Sequence, residues 1–154
     1  MKLQATDGGK TLAGFEHESR DCAVRALAIS ADISYTQAHA LLKAEGRKDR
    51  RGTKFSMSDR ALKNSGAKVE HIQHGAGLTL RYATLRYNSG RYYVTVRGHA
   101  LALIDVVIHD AGEIAGPRCR VLRIYHVTPQ VLITQSQINE LWERLDRLEG
   151  KKEY

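Results

Sequence analysis

Cysteine and proline are scarce in this chain, with two of each among 154 residues. Two cysteines cannot build the disulfide framework of a small secreted domain, and two prolines exclude a collagenous or mucin-like chain. Aromatic residues are also few, including two phenylalanines and one tryptophan. Tyr82, Tyr87, Tyr92 and Tyr93 stand close together, at a spacing that suits packing better than a base-stacking platform. No apolar run approaches the ~20 residues of a membrane span, so no membrane partner is expected. The longest run, residues 100–104, has strand length and is separated by Asp105 from residues 106–108. The first residues carry no hydrophobic stretch of the kind a secretory signal needs, so a reducing cytoplasm is the expected setting. CxxC, HExxH, zinc-spaced Cys/His clusters and glycine-rich phosphate loops are all missing, so neither a metal nor a cofactor is expected. His71 and His74 have no third ligand type near them in sequence and read as exposed.

What is present has an ordinary globular balance, 42% apolar and 27% charged, with a formal net charge of +7. The length is that of one domain covering residues 1–154. The positive charge is local. Residues 43–54 hold six basic and two acidic side chains. Arg47, Lys48, Arg50, Arg51 and Lys54 form a glycine-bounded loop that is either a solvated surface or a docking site for an acidic partner or phosphate backbone. No helix-turn-helix, zinc-finger or ribonucleoprotein signature supports sequence-specific nucleic-acid reading.

Residues 1–20 are polar and read as loop. Alanine-rich residues 22–31 then place apolar side chains at helical spacing, with Ser19 and Asp21 as capping types just before. Ser34 is suited to cap a second helix ending near Gly46. A third is expected from Ser56 or Ser58 to Asn64, then a weak edge strand over 67–72 and a short helix over 79–87. The β-rich part follows, with strands over 91–96, 99–104, 106–109 and 119–127. Residues 134–150 close the chain as an amphipathic helix with Ile138, Leu141, Trp142, Leu145 and Leu148 on one stripe. Helices first and an antiparallel meander second make the expected class α+β.

One constellation carries chemistry. Cys22 falls in the first turn of its helix, where unpaired N–H groups and the positive end of the helix dipole favour a thiolate. His99 opens a strand directly after Gly98 and is the candidate base. If residues 104 and 105 form a two-residue turn, His99 lies opposite Asp110, whose carboxylate is placed to orient the imidazole. Asp105 is the alternative third member, but along the strand it stands on the order of 20 Å from His99. Cys119, in an alternating apolar strand, reads as packing.

The residues Asp21-Cys22-Ala23-Val24-Arg25-Ala26-Leu27-Ala28, the stretch 35–46, Gly90-Arg91-Tyr92-Tyr93-Val94, Gly98-His99-Ala100-Leu101-Ala102-Leu103 and Asp110 together resemble the small papain-like cysteine peptidases. The order is similar to that of bacteriocin-processing transporter peptidases and cell-wall NlpC-type peptidases, and the closest look is to bacteriophage and bacterial members. The resemblance covers residues 15–127. It implies a papain-like fold, Cys22 as nucleophile, His99 as base, Asp110 as orienter, and a peptide or protein substrate. Such enzymes place a glutamine about six residues before the cysteine to complete the oxyanion hole. Glu16 holds that position here. Besides Glu16 itself, His17, Ser19 and the Cys22 backbone N–H are the remaining candidates for this role. The alternative function is an inactive relative that engages a host protein or nucleic acid through its basic surface.

Overall fold

The computed structural model describes residues 1–130 and 135–150. Among them are five α-helices and a six-stranded mixed sheet. The order is β1 (Lys2–Ala5), α1 (Cys22–Ala31), α2 (Tyr35–Ala44), α3 (Phe55–Asn64), β2 (Lys68–His71), α4 (Leu80–Arg86), β3 (Arg91–Val96), β4 (His99–Ile104), β5 (Val107–Asp110), β6 (Val121–Thr128) and α5 (Gln135–Glu149). The strands lie side by side as β1-β5-β4-β3-β6-β2.

Two expectations need correction here. The N-terminal segment is not all loop, and the sheet is not wholly antiparallel. β1 pairs in parallel with β5, Lys2 against Val107 through Ala5 against Asp110. All four β1 residues are exposed, so no apolar alternation marks the strand in sequence. Pairing with a distant edge creates it. Thr134, the expected first residue of the last helix, lies outside the described residues. The helix itself is present from Gln135, and none of its residues is buried. No described helix is long and apolar enough to cross a membrane.

The long apolar run over 100–104 has a simple cause. β3 and β4 are buried on both faces. On one face Val24, Leu27, Tyr35, Leu42 and Leu62 of α1 to α3 pack with Tyr93, Ala100, Tyr125 and Val127. On the other face Leu80 and Ala83 of α4 pack with Val94, Leu101, Leu103, Ile108 and Ile124. At the C-terminal end of α1 the Arg91 guanidinium donates to the carbonyls of Ile29 and Ser30. That places a cation where the helix dipole is negative and satisfies carbonyls the helix leaves open.

The β4–β5 turn sets the register that the site depends on. It is formed by Asp105 and Val106, one residue later than expected, with φ of 45° and 75°. Two left-handed residues in a two-residue loop give the hairpin twist of a type I′ turn. Gly90 anchors it: the Asp105 carboxylate accepts from the Gly90 N–H at 2.8 Å, and the Asp105 N–H donates to the Gly90 carbonyl at 3.0 Å. The pairing is therefore Leu103 with Ile108 and Ala102 with His109. A β-branched residue is poorly suited to positive φ, and Val106 occupies such a position. Val106→Gly is expected to raise unfolding stability by roughly 1 kcal/mol in urea titration, since it relieves the left-handed strain. A loss of stability would show that the turn is not strained there.

Candidate active site

The segment before α1 is held from two sides. Asp21, at the N-cap position, is buried but makes no capping hydrogen bond. Its carboxylate takes a hydrogen bond from Tyr35 at 2.8 Å and ion-pairs with Arg25 at 2.5 Å and Lys10 at 3.5 Å. Burial and the adjacent Asp21 carboxylate drive the Tyr35 hydroxyl far above its ordinary value. The first helical turn consequently has no side-chain cap, and its residues Cys22 and Ala23 line the cleft. One turn of chain earlier, Glu18 is buried against His39 at 2.8 Å, Arg47 at 3.1 Å and the Arg50 backbone N–H at 2.6 Å. Burial alone would raise the Glu18 carboxyl. The Arg47 guanidinium, His39 and the N–H groups of Arg50 and Ser19 outweigh it and hold Glu18 at about 2.

Cys22 opens α1 and meets His99, the first residue of β4. Both line one cleft, and the His99 ring and the Ala100 backbone N–H stand near enough to the sulfur to stabilise its charged form. His99 Nε2 in turn binds Asp110 Oδ2 at 2.5 Å. With Nε2 committed to the carboxylate, Nδ1 is the ring nitrogen left for sulfur. Burial alone would raise the Cys22 thiol; the His99 hydrogen bond, the Ala100 N–H and the positive charges of His99 and Arg25 bring it below the ordinary thiol value. Burial alone would lower His99; the Asp110 and Cys22 hydrogen bonds and charges push it up to about 9. Opposite shifts on two touching groups favour the thiolate–imidazolium pair. Asp110 also accepts from the Ala111 N–H at 2.8 Å, which fixes the carboxylate.

Asp110 reaches His99 by a different register from the one expected. Extending the observed pairing sets Asp110 across from Leu101, diagonal to His99. The turn keeps its two-residue length and moves by one position, so the pairing slips by two. A slip of two preserves the face, because side chains alternate with period two. Diagonal neighbours about 7–8 Å apart are within reach of an imidazole.

Other expected residues lie elsewhere. Asp105 sits in the hairpin turn bound to Gly90, away from His99. Glu16 and His17 are exposed and do not line the cleft around Cys22. His17 instead lines a small cavity with Glu18, His39 and Asp49. Arg47 is not a docking residue: it is 3% exposed and ion-paired with Glu18. Lys48, Arg50, Arg51 and Lys54 are exposed.

The cleft encloses about 580 Å³. Besides Cys22 and His99, its walls include Arg20, Thr53, Phe55, Val96 and Ile114. None of these five has a local sequence signal for the role, because a loop, a helix start and the 97–98 hairpin converge only in the fold. Glu18, His39 and Asp49 present ligand atoms within 4.8 Å of one another. A divalent cation there would meet the buried Arg47 guanidinium, so the group is an ion-pair network rather than a metal centre. Comparison with protein-family models, curated proteins and solved structures found no match to this chain.

The Glu18 network makes a pH-dependent contribution to stability. Its carboxyl lies at about 2 folded against an ordinary 4.5, so the stabilisation is complete above pH 4.5 and is lost as pH falls through about 2. Glu18→Gln is expected to cost roughly 3 kcal/mol at pH 7 and progressively less below pH 4.5. A deficit that stays constant down to pH 2 would rule this account out.

Proposed function

We propose that this chain is a papain-like cysteine peptidase or a closely related thiol hydrolase. The observation that carries the reading is the chain of contacts from Cys22 through His99 to Asp110, with the sulfur at the start of a helix. The Cys22 thiolate attacks a substrate carbonyl carbon and forms a carbon–sulfur bond. The carbonyl π electrons move to oxygen, and backbone N–H groups of the first turn of α1 receive that oxyanion. As the tetrahedral species collapses, the His99 imidazolium gives its proton to the departing amine, leaving a thioester and a neutral imidazole. Water then attacks the thioester carbonyl while His99 takes its proton. The carbon–sulfur bond breaks, releasing the acid and restoring the ion pair. Asp110 fixes the ring orientation and stabilises its positive charge throughout.

A second reading follows from Glu16. Its position outside the cleft leaves the oxyanion without the side-chain donor that the resemblance implies. That favours an inactive relative acting as a binding protein, with an acidic host protein or nucleic acid on the basic surface.

Alkylation by iodoacetamide across pH separates an activated thiol from an inert one. Wild type is expected to label Cys22 well below pH 8, and His99→Ala to lose roughly 10-fold or more of the rate at pH 6.5, because the largest influence opposing burial is then gone. Identical profiles would remove the activated thiol. Incubation with a mixed peptide library, read by mass spectrometry, is expected to yield new termini that vanish in Cys22→Ala and appear roughly 10²-fold or more slowly in Asp110→Asn. Cleavage that survives Cys22→Ala would refute the mechanism, and no cleavage by well-folded wild type favours the binding protein.

A further inference from the structure

The walls of the Cys22 cleft carry an imbalance of charge that the thiol chemistry does not use. Arg20 lines the cleft, is exposed, and sits in left-handed backbone at φ 49°. Gly52 and Thr53 line it too, and they belong to the basic segment. Arg51 and Lys54, which flank these two residues in sequence, are exposed beside the cleft. Neither Arg20 nor either of these two side chains forms an ion pair among the described residues. The one carboxylate in the wall, Asp21, is 2% exposed and already neutralised by Arg25 and Lys10. Unpaired cations whose only carboxylate neighbour in the cleft wall is already neutralised, set beside an apolar concavity, concentrate negative ligands there.

The rest of the wall narrows the kind of anion. Phe55, Val96 and Ile114 provide apolar surface between the cations. The Arg123 guanidinium lies over one face of the Phe55 ring, 4.8 Å from its centroid. The thiol requires an acyl carbon in its ligand, which a peptide supplies and a phosphodiester does not.

We infer that the substrate segment held along this cleft is an acidic peptide, its carboxylates read by Arg20 and by the exposed cations Arg51 and Lys54. The inference rests on the thiol-hydrolase reading above. It makes Arg20 a specificity residue, with no part in bond making or breaking.

Two electrophilic probes test it, acetyl-Glu-Glu-Gly chloromethyl ketone and acetyl-Lys-Lys-Gly chloromethyl ketone. In each the Cys22 thiolate displaces chloride and forms a thioether, which mass spectrometry counts. The glutamyl probe is expected to label wild type about 10-fold faster at low ionic strength, and the preference to shrink towards parity near ~0.5 M salt. Arg20→Gln and the pair Arg51→Gln with Lys54→Gln are each expected to reduce the preference by about threefold or more. Equal labelling by the two probes, or faster labelling by the lysyl one, overturns the inference. So does stronger protection of Cys22 by an oligothymidine strand than by acetyl-Glu-Glu-Gly amide, which would assign the cleft to nucleic acid. Neutral iodoacetamide keeps the two readings apart. If its rate does not depend on His99, the thiol-hydrolase reading fails. If it does depend on His99 and the peptide probes show no preference, only the acidic substrate fails.

Discussion

The close approach of α1 to the central strands is the constraint on which the site depends. Ala23, Ala26, Ala28 and Ala31 are all buried, and their small side chains let the helix lie tightly against β3 and β4. Only then does the first residue of the helix meet the first residue of β4. A larger residue in that seam would push the helix away by overpacking, and the sulfur would lose its imidazole partner. The arrangement is held at both ends. Arg91 of β3 fixes the C-terminal carbonyls of the helix, and Asp21 and Glu18 fix its approach.

Those two carboxylates are buried charges, which are costly unless paired. Each is paired several times over, and the pairings draw on different parts of the chain. Tyr35 and His39 come from α2, Arg25 from α1 itself, Arg47 from the following loop. The Asp21 side chain is thereby turned away from the helix end it would normally cap. The helix forgoes a cap worth about 1 kcal/mol, and its first-turn N–H groups stay available for an incoming oxygen. The same loop that supplies the buried Arg47 leaves its remaining cations on the surface, so one basic run serves two physically separate purposes.

Periodicity made most elements readable. Alanine-rich helical spacing marked α1, a capping serine marked α2, β-branched and aromatic residues marked β3, and a strand-length apolar run marked β4. The cap expected at Ser34 is present, and Gln37, which the sequence reading did not single out, completes it as a capping box. β1 was unreadable because its four residues are exposed and owe their conformation to β5. Arg47 looked like its neighbours in the basic run, since side-chain type says nothing of which arginine meets a buried carboxylate. The His99–Asp110 pairing was anticipated from the wrong turn position. It is found because a two-residue slip in register returns every side chain to the same face.

The sequence alone was sufficient for a helix-initial cysteine, a glycine-preceded histidine at the head of a strand, and an acidic residue on the next strand with matching parity. These are local facts, set by capping, turn chemistry and the period of a strand. Which residue stands at the helix end without capping it, which arginine is buried, and which walls enclose the sulfur were decided only in three dimensions. Each depends on pairings between segments far apart in the chain, where burial makes an unpaired charge too costly to leave and so selects the partner that no local pattern names.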